Sequence, residues 1–183
     1  MKTIITAAIA ALAITGGQAM AQDGKMPFGS KDDVAYAELI WDLMESERLV
    51  GQDMLRSTPY EGTDPHGMML ETFYSQATID GHTGDLIVKR NFGPAGVTKD
   101  QVLASPDQHL AAITVMFRRE EGYDPEDNNW FWVKYLPDGS LDKTPNGMQM
   151  AGKVAKGMDT GCIACHKAAA GDMVFTSDHL IAD

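Results

Sequence analysis

Apolar residues first recur at helical spacing in "GSKDDVAYAELIWDLMESERLV" (29–50), where Val34, Ala37, Ile40, Trp41 and Met44 fall three and four apart. Ser30 is placed to cap that helix, Asp32 and Asp33 suit its positive end, and Gly51 marks its close. The stretch "RSTPYEGTDPHG" (56–67) is dense in Pro, Gly and Asp and predicts a loop. From Met68 the period changes. "MMLETFYSQATI", "GDLIVKRNF", "LAAITVMFRR" and "NNWFWVKYL" are rich in β-branched and aromatic residues, and "DGHTGD", "NFGPAG", "GYDPEDNN" and "PDGS" punctuate them as turns. Four such runs predict an antiparallel sheet. The stretch "NGMQMAGKVAKGMDTG" (146–161) reads as helical or irregular. The expected fold is α+β: a single domain dominated by an antiparallel β-sheet, with flanking helices and a further helix near the C-terminus.

The first 21 residues stand apart. Lys2 precedes the apolar run "IITAAIAALAI", and Ala19 and Ala21 supply a small-x-small cleavage pattern. This is the form of a secretory signal peptide over residues 1–21, and it predicts a periplasmic protein of residues 22–183. The run is short for a bilayer span of about 20 apolar residues, and no later segment approaches that length. Removing 21 residues from 183 leaves 162, enough for one domain with its own core. The chain has 15 basic and 26 acidic side chains, and one lysine leaves with the leader, so the mature formal charge is −12. Such a surface disfavours nucleic acid and anionic lipid and suits a basic redox partner.

Both cysteines lie in "DTGCIACHKAAAGDMVF" (159–175). Two thiols two residues apart, followed at once by His166, admit three chemistries: a redox dithiol, half of a zinc site, or attachment of a c-type haem. A redox CxxC stands at a helix start after an early strand of a thioredoxin-like unit, whereas this one lies behind antiparallel runs near the C-terminus. A disulfide across so short a loop would stabilise little. Zinc needs a fourth ligand, and His66, His82, His109 and His179 form no pair at ligand spacing. Haem accounts for every position. Cys162 and Cys165 reach two porphyrin vinyl groups from one helical turn, and His166 falls beneath the ring as proximal iron ligand. The expected cofactor is one covalently attached haem c on a C-terminal haem-binding helix. Only 17 residues follow His166, and Met173 among them is too close to reach round the ring. A five-coordinate iron is therefore expected, which disfavours a plain electron carrier. The strand-rich middle also argues against the four-helix bundle of the cytochromes c′.

Beyond these features, "CIACHK…GDMVF", "NWFWVKYL", "GYDPEDNNW" and "GDLIVKRNF" resemble the cytochrome P-460 family, over roughly Met68 to Phe175. The resemblance implies an antiparallel sheet packed against the haem, with helices at the side, and one of two chemistries. In cytochrome P-460 proper a lysine is bonded to a meso carbon of the haem and hydroxylamine is oxidised. In the cytochrome c′-β branch that bond is missing, the distal pocket is apolar and nitric oxide is bound. "GDLIVK" resembles the lysine-bearing segment, which makes Lys89 the candidate catalytic cross-link. Its flank of Leu86, Ile87 and Val88 would desolvate the amine and lower its pKa, while Arg90 beside it suggests a strand end near water.

Oxidation needs a distal proton acceptor, and the acids near the strands are Glu71, Asp85, Glu120 and Glu121. Phe73 and Phe117 are candidates for an aromatic cap over the distal site, while Tyr74, Trp130, Phe131 and Trp132 read as core or haem packing. His66 reads as a turn residue, and Asp172 as support for the segment after the haem helix. The implied partners are a small nitrogen substrate or gas, hydroxylamine or nitric oxide, and a redox protein such as a cytochrome c. A homodimer stays open.

Overall fold

Residues 27–175 are described by the computed structural model, so the signal peptide read at residues 1–21, and His179, lie outside the described residues. The first helix, α1 (Lys31–Ser46), starts at a reciprocal cap: the Asp33 N–H donates to Ser30 Oγ at 3.1 Å and the Ser30 N–H donates to Asp33 Oδ2 at 3.0 Å. Ala37, Ile40 and Met44 form its buried stripe. It stops well before Gly51. Arg48 adopts a left-handed backbone (φ 58°) that turns Leu49 and Val50 into the core instead.

Six strands form one sheet in which each pairs antiparallel with the next: β1 (Tyr60–Glu61), β2 (Met69–Ile79), β3 (His82–Phe92), β4 (Leu110–Arg118), β5 (Trp130–Tyr135) and β6 (Ala151–Gly152). The four expected strands are β2 to β5, and the fold is the α+β one read from the sequence. β1 and β6 are two-residue edge strands in stretches read as loop or irregular, too short to leave a period. The β2–β3 turn is Asp80–Gly81 alone, both with positive φ (50° and 79°), as a primed hairpin turn requires. Two unexpected helices, α2 (Lys99–Ala104) and α3 (Pro106–His109), join β3 to β4, the first capped by Thr98 and Gln101. Among the described residues no helix is long and apolar enough to cross a membrane.

Strand register sorts the side chains onto two faces. Leu86, Val88 and Arg90 share one face with Ile113, Val115 and Phe117 and with Phe131, Val133 and Tyr135. α1 covers this face, and the Tyr135 hydroxyl donates to Ala37 O at 2.6 Å across the layer. Each large apolar side chain buried there contributes about 1.5–3 kcal/mol. The other face carries Ile87, Lys89, Thr114, Met116, Trp130 and Trp132. The chain after β6 folds back over it through Val154, Ala155, Ile163 and Met173.

Arg90 corrects one expectation, because it marks no wet strand end. It is 0% exposed on the α1 side of the sheet. Its Nη1 donates to Glu71 Oε2 at 2.9 Å and to Leu55 O at 2.6 Å, its Nε donates to Leu49 O at 3.0 Å, and its guanidinium lies 4.6 Å from the centre of the Phe73 ring. Arg56 holds the other carboxylate oxygen of Glu71 at 2.8 Å. The segment following α1 brings its carbonyls over this end of the sheet, so the charge is solvated by backbone and carboxylate in place of water.

Candidate functional site

Gly161 (φ 115°) turns the chain into α4 (Cys162–His166), a single helical turn that sets both thiols and the imidazole on neighbouring positions. A Cβ at Gly161 would lie 2.4 Å from Ala155 Cβ, so the approach requires glycine. Beyond α4, Lys167 pairs with buried Asp127 at 2.9 Å, which ties the helix end to the loop before β5.

Cys162 and His166 line a cavity against the sheet. Cys165 and His166 line an adjoining hollow beside residues 60–66. The two free thiols therefore flank the space that the histidine faces. Burial pushes the Cys162 thiol up to about 11, so at neutral pH it is protonated.

His166 is buried, with Nδ1 2.7 Å from Met173 O. A carbonyl only accepts, so Nδ1 carries the proton and Nε2 keeps a lone pair for a metal. Burial, opposed by the Met173 bond and reinforced by Lys89, holds the imidazole pKa below its usual value. Trp132 packs edge-on against it, with ring centres 4.7 Å apart.

Lys89 enters the same cavity from the central part of β3, flanked across the sheet by Thr72 and Thr114. Burial lowers its pKa from 10.5, and no carboxylate among the described residues opposes the shift. All four residues singled out from the sequence, Lys89, Cys162, Cys165 and His166, thus meet at the two hollows.

The four acids do not join them. Glu71 lies on the α1 face between Arg56 and Arg90. Asp85 bonds Gln76 and Arg118 near the β2–β3 turn, Glu120 pairs with Arg119, and Glu121 is exposed in the turn after β4. The suggested aromatic cap is also corrected. Phe117 packs beside Tyr36 of α1 and Phe73 beneath Arg90, both on the far face, because register assigns them to the phase opposite Lys89. The rings that do line the cavity belong to Tyr74, Trp132 and Phe175.

His66 is the residue that sequence reasoning passed over. Its loop is pinned by Gly62 N–H to Met68 O at 2.9 Å and Met68 N–H to Phe92 O at 3.0 Å. The imidazole lines both hollows, with its ring centre 6.0 Å from that of His166 and Nδ1 3.4 Å from Thr114 Oγ1. Burial, then the charges of Lys89 and His166, lower its pKa to about 4. A loop composition showed only that His66 was in a loop; the placement over Lys89 is tertiary.

Trp132 Nε1 tests whether a haem suits this space. The residue is 2% exposed and lines the cavity, yet its N–H has no acceptor among the described residues. An orphaned buried donor is costly, and a carboxylate edge such as a porphyrin propionate would satisfy it. With apolar walls from Ile87 and Met116, the CxxCH donors and this unmet N–H, the residues fit the group. A family model described as Cytochrome P460 matches residues 69–176, more than half of the chain. No curated protein and no solved structure matches it.

Proposed function

The chain belongs to the cytochrome P460 family, and from that premise we propose that it oxidises hydroxylamine or a related small nitrogen compound. Family membership makes haem its cofactor and the protein a c-type cytochrome of the P460 and c′-β kind. In the proposed reading one haem is joined to Cys162 and Cys165, bound at iron by His166, and bonded at its edge to Lys89. The observation that carries this reading is the position of Lys89, inside the cavity that Cys162 and His166 line, where burial lowers its pKa.

Bound haem supplies an open iron coordination position and an acceptor for the substrate's electrons, which then pass to a redox protein. The chain's own residues do the rest. His166 presents Nε2 because Met173 O holds the proton on Nδ1. Burial favours the neutral form of the Lys89 amine at the place where it would meet the haem edge. Ile87, Met116 and Trp132 keep bulk water away. His66, whose neutral form burial favours, lines the same cavity and is the group placed to accept protons leaving the substrate, a role none of the four acids is placed to fill. The periplasm is the proposed site of action, in line with the export signal read at residues 1–21, and the acidic surface suits a basic partner.

Tryptic mass spectrometry of the holoprotein, with the Lys89→Leu variant alongside, tests the reading. The Lys89 peptide should carry haem mass. The variant should keep its haem, regain an ordinary c-type reduced spectrum and lose hydroxylamine oxidation. A free Lys89 peptide in the holoprotein sinks the cross-link. It would favour the second reading, a nitric oxide binder, which the largely apolar lining around Ile87, Met116 and Phe175 supports.

A further inference from the structure

We propose that Arg118 and Trp130 act through Asp172 and Met173 as positioning residues that set how strongly His166 donates to iron. The inference rests on His166 being the iron ligand, as in the reading above. The acceptor for His166 Nδ1–H lies on neither α4 nor the sheet but seven residues on, at Met173 O. That carbonyl belongs to a short element, α5 (Ala170–Met173), whose backbone is irregular: Gly171 has φ 68° and Met173 itself φ 61°. A non-glycine residue in the left-handed region persists only where its surroundings over-determine it.

The surroundings do so residue by residue. Asn128 Nδ2 donates to Gly171 O at 3.2 Å, and Trp130 Nε1 donates to Asp172 O at 2.9 Å from a ring that is 1% exposed. The Arg118 guanidinium pairs with the Asp172 carboxylate. It is itself fixed by Asp85 at 3.1 Å, by Asn128 O at 2.8 Å and by the Trp130 ring at 4.1 Å. An isolated surface ion pair holds little; one whose cation has three other partners is a strut. The ends of β4 and β5 thus fix the carbonyl that His166 bonds. A firm acceptor at Nδ1 raises the basicity of the imidazole, and a more basic axial ligand favours ferric iron.

The test uses holoprotein of the Trp130→Phe, Arg118→Met and Asp172→Asn variants. Haem content, reduction potential by spectroelectrochemical titration and the ferrous iron–histidine stretch by resonance Raman are read for each. Trp130→Phe keeps an aromatic ring beneath Arg118 and removes the N–H donor together with the rest of the indole. It should retain haem while the ferric–ferrous equilibrium moves about tenfold toward ferrous, about 59 mV for one electron, with the stretch falling in frequency. Arg118→Met and Asp172→Asn should move both readings the same way, and Arg118→Lys should restore part of the shift. Should Trp130→Phe fail to fold, Asp172→Asn, at a half-exposed position, carries the test alone. Potentials and stretches equal to wild type, whether haem content holds or falls, overturn the positioning role. None of these readings needs turnover. A wild type inert toward hydroxylamine would therefore sink the proposed reaction and leave this comparison standing.

Discussion

Replacing Glu71 by alanine should cost about 3 kcal/mol of folding stability and leave the haem site untouched. The carboxylate is 0% exposed, with Oε2 accepting from Arg90 at 2.9 Å and Oε1 accepting from Arg56 at 2.8 Å. Removing one partner of a buried pair typically costs about 3–5 kcal/mol, because the remaining charge is stranded. Two features place this case at the lower end. Arg90 keeps its bonds to Leu49 O and Leu55 O, and Arg56, at 30% exposure, can turn to water. For a domain of this size each kcal/mol moves the Tm by about 2–4 °C, so a fall of about 6–12 °C is expected. Urea unfolding of the holoprotein, followed by far-UV circular dichroism, measures the loss directly. The double variant Glu71→Leu with Arg90→Met should recover most of it, since packed apolar groups replace buried ion pairs at little cost. Haem absorption, and the hydroxylamine turnover proposed above, should not change, because Glu71 lies on the face opposite Lys89. If Glu71→Ala unfolds like wild type but loses turnover, the two faces have been assigned the wrong way round.

Haem should survive acid–acetone extraction and still stain for peroxidase on a denaturing gel, and the stain should vanish in a Cys162→Ala/Cys165→Ala double variant. Gly161→Ala forces a side chain to φ 115° and to within 2.4 Å of Ala155 Cβ, so about 1–3 kcal/mol of strain should appear together with a lower haem-to-protein ratio. The Asp85 carboxyl is held below its ordinary 3.8, first by the Gln76 hydrogen bond and then by Arg118. Its folded pKa is the lower one, so its contribution is present above pH 3.8 and is lost as the pH falls below that value. Asp85→Asn should flatten that part of a stability-versus-pH curve, and about 1 M salt should shrink the difference.

The long strands were legible because β-branched and aromatic runs end in turn clusters, but their faces were not. Leu86, Ile87 and Val88 are all buried, since α1 covers one side of the sheet and the segment after β6 covers the other. Alternation then distinguishes Lys89 from Arg90 without saying which points at a cavity, and the two cations have opposite surroundings. The same blindness put Phe73 and Phe117 over the site. The CxxCH group was readable because its chemistry is local, set by spacing within one helical turn. His66 was not, for its loop reaches the cavity only through pairing that begins at Met68 and Phe92. Thr98 and Gln101 did carry a legible cap, but six residues of helix leave too little periodicity to notice.

Strands that are neighbours in the sequence are neighbours in the sheet, so its long hairpins close without distant loops. The residues that form the opposite wall of the cavity, Val154 through Phe175, follow the last strand. In chain order the sheet comes first and, without the segment that follows it, would leave the cavity as an open trough. The cysteine-bearing segment arrives afterwards as a cover. A flat cofactor can be laid into a trough from above, whereas a closed chamber would have to be threaded. A haem bonded to Cys162 and Cys165 would thus enter together with the covering segment, and the docking of residues 171 and 172 against Asn128 and Trp130 would close it in.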